Sequence, residues 1–437
     1  MNSSENSIKW MSADDAARLV KSGDRIYVQG STSVPDTLLR AIAARSGELR
    51  GVTFYTGFSV SKDPAPICRE GMEESFFVDS FFVSNNVRQW IADGNGSVTP
   101  RFLGDVPDLF RRGYWPLDVV LLNCSLPDSH GYVSFGVGGD VACSAVECGR
   151  TIIAQINPNM PFSNGDPIVH VSRLAAAVRV DDPLVEVPTP SPSEAERRIG
   201  RFIAQEIPDG ATLQIGVGGI PNAVIAALRD HRDLGLHTEA MTDGVLPLLS
   251  EGIINNSRKK ILPGKSVASL ALGSRRLYDY MDHNPQIIFR DVAWTNNPAI
   301  IGANPAVMSI NSCLEIDLTG QICADSIGDR IFSGVGGQHD FVTGANISEG
   351  GKSFIAMLAT SSKGHNKIKA HLTPGAGVVT TRFAAEYIVT EYGIANLRGK
   401  NLIQRAKALI GLAAPQFREE LDREARQRFG RAYSAQY

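Results

Sequence analysis

The sequence lacks the features that mark metal-binding, membrane-spanning and nucleic-acid-binding proteins. Its 8 histidines form no HExxH or HxxEH arrangement, so a protein-bound metal has no support. No apolar run reaches the roughly 18 residues that a membrane-spanning helix needs. The 43 lysines and arginines are dispersed and the net charge is −3, which disfavours contacts with a phosphate backbone. We therefore expect no metal, no membrane span and no nucleic-acid partner.

Cysteine is also sparse and shows no pairing. The polar first ten residues lack the apolar stretch of a secretory signal, and no CxxC motif occurs. Both features predict a cytoplasmic protein with reduced, mostly structural thiols. The six cysteines are Cys68, Cys124, Cys143, Cys148, Cys313 and Cys323.

Length and proline content predict more than one domain. A chain of 437 residues with 43% hydrophobic and 20% charged residues is expected to form two or three globular domains. Residues 181–192 contain four prolines, which disfavour a helix and suit an extended crossover. We therefore predict an N-terminal domain over residues 1–185 and a C-terminal domain over residues 186–437.

One local plan occurs in both halves, which indicates two halves of related design, although this arrangement is common enough to recur by chance. It consists of a helix that ends near a glycine, a strand, a glycine-containing loop, and a second helix that a proline opens. In the first half these elements are predicted from Ser12 to Gly23, at 24–29, at 30–33 and from Pro35 to residue 44. In the second half they are predicted from Ser193 to Gly210, at 211–215, at 216–220 and from Pro221 to residue 228.

The apolar runs favour parallel sheets. Short runs of this kind are typical of buried parallel strands. We predict an α/β protein of two related open α/β domains with mainly parallel sheets, and an active site in the cleft between them. The predicted strands are 119–122, 151–154, 287–289, 307–310, 354–358, 377–380 and 387–390, and helices are predicted at 381–386 and 415–428.

Two glycine-rich stretches are candidate binding loops. In residues 216–221 glycines follow a strand and precede a helix, a design that exposes N–H groups to an anion, although a structural turn explains the same pattern. The GxGxxG dinucleotide fingerprint is absent, since Pro221 stands where the last glycine belongs. Residues 333–341 suit an oxyanion-binding loop or a turn at the end of a sheet. Residues 131–139 suit a substrate-facing loop or a plain hairpin.

Single polar residues are ambiguous when taken alone. Glu239, in the stretch HTEAMTDG, is either a catalytic carboxylate or a solvated loop residue. Asn296 and Asn297 precede Pro298, where amides can hold a carboxylate or simply form an Asx turn before a helix.

Taken together and in order, these stretches resemble the acetyl-CoA hydrolase/transferase family. That family includes 4-hydroxybutyrate, butyryl-CoA:acetate, succinyl-CoA:acetate and itaconate CoA-transferases. The resemblance runs over nearly the whole chain. It is carried by GVGGIP at 216–221, HTEAMTDG at 237–244, TNNP at 295–298, INSCLEIDLTGQICADS at 310–326, SGVGGQHDF at 333–341 and VTEYGIANLRGK at 389–400, with GYVS at 131–134 and NPNMP at 157–161.

The resemblance implies roles for individual residues. It makes Glu239 the catalytic glutamate, places Asn296 near the acyl or carboxylate group, and suggests that Lys352 meets the CoA phosphates. The implied contacts with CoA or its thioester are Gly216, Val217, Gly218, Gly219, Ile220, Gly336 and Gly337.

It also implies an activity. We expect CoA to move between short-chain carboxylic acids through a covalent glutamyl-CoA thioester, with acyl-CoA as substrate and no permanently bound cofactor. Hydrolysis of acyl-CoA at the same site is the alternative. The family further suggests a homodimer or homotetramer.

Overall fold

The computed structural model describes residues 8–61 and 65–434. Most of the polar start on which the expected lack of a secretory signal depends lies outside the described residues. The helices are α1 (Ala13–Ala17), α2 (Asp36–Ala43), α3 (Asn85–Ala92), α4 (Val106–Arg111), α5 (Ala142–Cys148), α6 (Glu194–Ala204), α7 (Gly219–Ala226), α8 (Leu246–Ser250), α9 (Arg275–Met281), α10 (Val292–Thr295), α11 (Pro298–Ala303), α12 (Gln338–Ile347), α13 (Leu402–Leu412), α14 (Pro415–Phe429) and α15 (Arg431–Ser434).

The strands are mostly short. They are β1 (Arg25–Val28), β2 (Val52–Thr56), β3 (Phe76–Ser80), β4 (Gly96–Val98), β5 (Val119–Cys124), β6 (Tyr132–Ser134), β7 (Thr151–Ile156), β8 (Ile168–His170), β9 (Leu174–Arg179), β10 (Thr212–Ile215), β11 (Gly235–Leu236), β12 (Ala240–Thr242), β13 (Ser266–Ala268), β14 (Leu270–Leu272), β15 (Ile287–Phe289), β16 (Val307–Ser312), β17 (Glu315–Asp317), β18 (Ile322–Cys323), β19 (Ser326–Ile327), β20 (Arg330–Ile331), β21 (Lys352–Ala356), β22 (Ile368–Lys369), β23 (Tyr387–Thr390) and β24 (Gly393–Asn396).

The chain forms two compact units that are not contiguous in sequence. The first unit comprises the described residues up to Pro188 together with Glu239–Asp243 and Ser266–Thr295. The second unit comprises Thr189–Thr238, Gly244–Lys265 and the described residues from Asn296 onward. The predicted break near residue 185 therefore coincides with only the first of several crossings, and Glu239 itself is grouped with the first unit.

Strand pairing explains why later segments join the first unit. β12 pairs with β14 and β13 pairs with β15, each in parallel. Isolated bridges then connect these small sheets to earlier segments, Gly138 to Leu270 and Gly165 to Phe289. Because these partners lie more than a hundred residues apart in sequence, no local pattern could have indicated them.

The first unit is built on a seven-stranded sheet in the order β4-β3-β2-β1-β5-β7-β9, and all its neighbouring strands are parallel. All six residues of β5 are buried. Val120 and Leu122 belong to one hydrophobic cluster, whereas Val119 and Leu121 belong to another. Successive side chains of a strand point to opposite faces, so both faces of this sheet are covered.

The second unit contains a six-stranded sheet in the order β11-β10-β16-β21-β23-β24. Its strands are parallel except for the edge strand β24, which runs antiparallel to β23. Two mainly parallel sheets were predicted, and this α/β architecture is confirmed.

Helix caps follow the sequence signals closely. The Ser12 hydroxyl accepts a hydrogen bond from the Asp15 N–H at 3.1 Å and caps α1. Ser193 and Glu196 form a reciprocal capping box at the start of α6. The predicted surface helix at 415–428 is α14, so this prediction is confirmed.

Several local predictions are wrong. The helix predicted from Ser12 to Gly23 is α1 and ends at Ala17, and the helix predicted to end near Gly210 is α6 and ends at Ala204. Residues 377–380 form no strand beyond one isolated bridge at Thr380, and residues 381–386 make only a turn. Helix α7 begins at Gly219 rather than at Pro221. Proline is tolerated in a first helical turn because the N–H groups there have no intrahelical acceptor, so it does not have to be the first residue.

Candidate active site

The glycine-rich turn at 216–219 lies where the strand order of the second sheet reverses. The chain passes from β10 outward to β11 on one side, and to β16, β21 and β23 on the other. In open α/β sheets this reversal leaves a crevice outside the carboxyl ends of the strands, where ligands bind. Gly216 follows β10 directly, and its N–H donates to Ile310 O of β16 at 3.2 Å. The predicted CoA-binding loop therefore begins at the reversal point.

Glycine is required at two positions of this turn. Gly218 has φ +131°, which favours glycine, and it precedes α7. A Cβ at Gly219 would lie 2.1 Å from Glu196 Oε1. That carboxylate cannot move away freely, because the Ser193 N–H donates to Glu196 Oε2 at 2.7 Å. Val217 is half-exposed, as a ligand-facing loop residue would be.

The second glycine stretch leads into a helix. Gly336 has φ +55° and Gly337 caps α12, so the turn places a glycine pair at a helix N-terminus of the second unit. Asn296 Nδ2 donates to Asp340 Oδ2 in the first turn of α12 at 3.3 Å. The structure thus brings the predicted substrate residue Asn296 beside the helix that follows Gly336 and Gly337.

Asn297 forms the Asx-type turn before a helix that was the structural alternative to holding a carboxylate. Its side chain accepts a hydrogen bond from the Ala299 N–H at 2.9 Å and caps α11, which Pro298 opens. This is an Asx-type cap, and it fixes the entry to the helix after Asn296.

Lys352 already has a protein partner. Its ammonium donates to Glu206 Oε2 at 2.7 Å and to Glu206 O at 3.1 Å, and it lies 5.6 Å from the Tyr387 ring centroid. A CoA phosphate would therefore have to compete with the Glu206 carboxylate for this cation. The predicted phosphate contact stays a prediction.

The residues just before Glu239 are anchored to the second sheet. His237 N–H donates to Leu213 O at 3.0 Å. The Thr238 hydroxyl accepts from the Ile215 N–H at 3.3 Å and donates to Ile215 O at 3.1 Å. Ile215 is the last residue before the glycine turn, so Thr238 holds the chain against the start of that turn.

Glu239 itself is held through its backbone. Its carbonyl oxygen accepts from the N–H groups of Ser269 and Leu270, both at 3.0 Å, and the side chain is half-buried. Four residues further on, the Asp243 carboxylate accepts hydrogen bonds from the Ser274 N–H and the Ser274 hydroxyl, both at 2.7 Å. The backbone around the predicted nucleophile is thereby fixed on both sides of β12.

Sequence reasoning missed a polar network beside the glycine turn. Gln214 Oε1 accepts from Ser309 Oγ at 2.8 Å and from Asn311 Nδ2 at 3.1 Å. These side chains project from β10 and β16 near the point where the strand order reverses. No sequence signal could have found them, because a polar residue within a predicted strand does not reveal which strand lies next to it.

The stretch 131–139 is neither a simple hairpin nor an isolated loop. Its strand β6 pairs antiparallel with the distant β8, and Gly138 bridges to Leu270. Asp140 follows it and is buried, which raises the pKa of its carboxyl to about 6. The segment therefore belongs to the scaffold that carries β14, the strand against which Glu239 is held.

Other functional classes find no support in the part of the chain that the structure describes. Within residues 8–61 and 65–434, no group of three or more His, Cys, Asp and Glu is suited to hold a metal ion. Across the same residues, no helix combines the length and apolarity needed to cross a bilayer. All six cysteines are free thiols, and burial raises the pKa of Cys68 to about 12.

Comparison with known proteins gives strong matches over nearly the whole chain. The N-terminal domain model of the acetyl-CoA hydrolase/transferase family matches residues 2–188, and the C-terminal domain model matches residues 273–425. The chain is 40% identical over 422 residues to 4-hydroxybutyrate coenzyme A transferase of Clostridium kluyveri, covering 96% of this chain and 98% of that protein.

Two further proteins are similar to this chain over nearly its whole length. Succinyl-CoA:acetate/propanoyl-CoA:succinate CoA transferase of Fasciola hepatica is 42% identical, with 95% of this chain and 88% of that protein covered. The crystal structure of RipA from Yersinia pestis has a TM-score of 0.92 at 33% identity, covering 98% of this chain and 99% of that chain. These similarities confirm the predicted fold class and the enzyme class, CoA-transferase. Since they span both units and the motifs in between, the chain belongs to the acetyl-CoA hydrolase/transferase family.

Proposed function

We propose that the protein transfers CoA from an acyl-CoA to a free short-chain carboxylic acid, with Glu239 as the covalent carrier. The observation that carries this proposal is the anchoring of residues 237–239. Thr238 is bonded to Ile215, directly before the glycine turn, while the Glu239 carbonyl is held by Ser269 and Leu270. A covalent nucleophile needs such a fixed backbone, since small misplacements reduce its rate steeply.

The first half of the proposed reaction forms an enzyme thioester. A Glu239 carboxylate oxygen attacks the thioester carbonyl carbon and the C–S bond breaks. CoA leaves as a thiolate, and a mixed anhydride between Glu239 and the acyl group remains. The thiolate then attacks the side-chain carbonyl carbon of Glu239. The C–O bond of the anhydride breaks, the first acid leaves as a carboxylate, and a glutamyl-CoA thioester remains.

The second half repeats these steps in reverse with another acid. The incoming carboxylate attacks the glutamyl thioester, CoA leaves, and its thiolate attacks the new acyl group of the anhydride. Glu239 is released as a carboxylate, and a new acyl-CoA departs. One thioester replaces another, so the reaction requires neither ATP nor a metal. The backbone N–H groups of Gly336 and Gly337 remain the proposed donors to the oxyanions, and residues 216–220 the proposed CoA contacts.

Replacement of Thr238 tests whether the anchoring matters. Thr238→Val keeps the shape of the side chain but removes both hydrogen bonds to Ile215. We expect kcat for CoA exchange to fall roughly 10- to 100-fold, because the backbone that carries Glu239 is less well fixed. The KM for acyl-CoA should change by no more than about twofold. Steady-state kinetics with acetyl-CoA and butyrate measure both values.

A matched variant controls for the loss of a buried hydroxyl. Thr212 lies in the same strand region, is fully buried, and its hydroxyl makes no hydrogen bond among the described residues. Thr212→Val should therefore retain nearly full kcat. Equal losses in the two variants would contradict a specific role for Thr238.

One assay determines which acid the protein accepts and distinguishes CoA transfer from hydrolysis. Thiol release from acetyl-CoA or succinyl-CoA is followed with and without acetate, butyrate, 4-hydroxybutyrate, succinate or itaconate. A transferase consumes acyl-CoA only when an acceptor acid is present and yields the new acyl-CoA. Release of free CoA at the same rate without any acceptor would assign the site to hydrolysis instead, because water would then be the acceptor.

A further inference from the structure

A sheet edge just before the predicted nucleophile is completed by side chains. β11 is an edge strand of the six-stranded sheet, in which it pairs with β10. On the β10 side, the Gly235 N–H donates to Ala211 O at 2.8 Å. Two residues later, the His237 N–H donates to Leu213 O at 3.0 Å. The backbone groups of alternate residues in a strand point to opposite sides, so the N–H and C=O of Leu236 point to the outer edge of the sheet.

Two buried side chains bond to these outer groups of Leu236. Asn256 Oδ1 accepts a hydrogen bond from the Leu236 N–H at 2.8 Å, and Lys259 Nζ donates to Leu236 O at 3.0 Å. Lys259 Nζ also donates to Lys265 O at 2.7 Å. Asn256 and Lys259 are 3% and 4% exposed. Residues 256–265, which we call the anchor loop, therefore take the place of a neighbouring strand at this edge.

The anchor loop is itself held in one conformation. The Gly264 N–H donates to Asn256 O at 3.0 Å, which joins the two ends of the loop. In its middle, the Ile261 N–H donates to Asn304 Oδ1 at 3.0 Å, and Asn304 belongs to the same unit. A loop that is fixed at its ends and in its middle can hold Leu236 in one place.

The anchor loop contains backbone conformations that residues other than glycine rarely adopt. Asn256 has φ +60° and Leu262 has φ +49°. Asparagine tolerates this left-handed region, but leucine is unfavourable in it. Strain of this kind persists only where the surrounding structure enforces it, and it is concentrated at functional sites. The strained loop is therefore a candidate for a role in the reaction.

The burial of Lys259 is a second unfavourable feature of the loop. Lysine is rarely buried without a charged partner, and Lys259 makes its hydrogen bonds to two backbone carbonyls instead. Protection of a sheet edge alone requires neither a buried lysine nor a strained loop, since short or charged edge strands achieve it. Both unfavourable features act on the same residue, Leu236.

We infer that Asn256 and Lys259 are positioning residues for the nucleophile, and that they act by fixing Leu236. Leu236 lies three residues before Glu239, so its position sets the path of the chain that carries the reacting carboxylate. Small displacements of a reacting group reduce the rate of a reaction steeply. This inference rests on the proposed function, because it requires Glu239 to be the residue that reacts.

Two variants remove the two hydrogen bonds separately. Lys259→Met keeps an unbranched side chain but has no N–H to donate. Asn256→Gly removes the acceptor, and glycine adopts φ +60° without strain, so the loop keeps its conformation. The intact protein is mixed with excess acetyl-CoA without an acceptor acid and quenched at increasing times. Mass spectrometry of the Glu239 peptide then gives the rate constant of CoA adduct formation and the final amount of adduct.

A positioning role and a merely structural role change different quantities. The rate constant of adduct formation should fall roughly 10- to 100-fold in each variant, while the final amount of adduct stays near that of the unaltered protein. A structural role would lower the amount of adduct, because less protein would be folded, and would leave the rate constant unchanged. The dissociation constant of acyl-CoA, measured by equilibrium dialysis, should change by no more than about twofold.

Lys367→Met is the matched control. Lys367 Nζ also donates to a backbone carbonyl of the second unit, Cys313 O, at 2.9 Å. Its removal should leave the rate constant of adduct formation unchanged, because it does not act on Leu236.

Three results would overturn the inference. They are an unchanged rate constant in either folded variant, a loss confined to the amount of adduct, and an equal loss of rate in Lys367→Met. If Lys259→Met does not fold, the result for Asn256→Gly decides. Absence of the adduct from the unaltered protein would refute the proposed function and this inference with it, whereas adduct formation at the full rate in both variants would refute this inference alone.

Discussion

Glu239→Ala should abolish CoA exchange while leaving acyl-CoA binding largely intact. Without the carboxylate no anhydride and no enzyme thioester can form, so both halves of the proposed reaction are lost. We expect kcat to fall by roughly 10³-fold or more, equivalent to a loss of about 4 kcal/mol of transition-state stabilisation. Exchange of label between acetyl-CoA and butyrate measures the rate, and equilibrium dialysis with a CoA thioester measures binding.

Conservative variants separate chemistry from shape. Glu239→Gln keeps the size of the side chain but removes the nucleophilic charge, and should be as inactive as alanine. Glu251→Ala removes an exposed glutamate whose one ion pair among the described residues is with Arg229 at 3.4 Å, and should retain full activity. Full exchange by Glu239→Gln would contradict the nucleophile assignment, whatever the alanine variant does.

The second large effect concerns Lys259 and the dependence of stability on pH. This lysine is buried without a carboxylate partner among the described residues, and its ammonium donates to Leu236 O at 3.0 Å and Lys265 O at 2.7 Å. Burial lowers the pKa of Lys259 from 10.5 to about 7. Gly235 makes room for it, since a Cβ there would lie 2.6 Å from Lys259 Cγ.

The direction in which stability changes with pH depends on whether the folded or the unfolded state holds the Lys259 proton. Below pH 7 Lys259 is charged in both states, and the folded state bears the full cost of burying that charge. Between about pH 7 and 10.5 the folded protein releases the proton while the unfolded chain keeps it, so the free energy of unfolding rises with pH. From pH 7 to 9.5 the contribution of Lys259 should grow by about 3 kcal/mol, at roughly 1.4 kcal/mol per pH unit.

Denaturant unfolding of the unaltered protein and Lys259→Met at pH 7 and 9.5 measures this difference. The free energy of unfolding of the unaltered protein relative to that of Lys259→Met should increase at the higher pH. The buried cysteines are the same in both proteins, so their contribution cancels in this difference. Lys260→Met, at the exposed neighbouring position, should show no such change. The idea fails if Lys259→Met and the unaltered protein keep the same stability difference at both pH values.

Local signals in the sequence predicted the elements that depend on local chemistry. Ser12 and Ser193 cap helices because a hydroxyl before a helix has an N–H to accept from three residues later. The glycine turn at 216–219 needs glycine because of the φ of Gly218 and the capping box of Glu196. These requirements are visible in a short stretch of sequence.

Long-range pairing could not be predicted in this way. The grouping of Glu239 with the first unit depends on β14, and hence on residues that bridge to Gly138. Residues 377–380 have the composition of a strand, but among the described residues they make one isolated bridge, from Thr380 to Ile322 of the two-residue strand β18. The donors and acceptors around Gln214 likewise come from neighbouring strands, whose order no single sequence reveals.

Peptide mass spectrometry of the protein incubated with acetyl-CoA tests the central claim most directly. The account predicts that the peptide containing Glu239 gains the mass of CoA as a thioester, that the adduct disappears when acetate is added in excess, and that Glu239→Ala shows none. A CoA adduct on any other residue, or exchange activity without an adduct on Glu239 under quenched turnover, would contradict it.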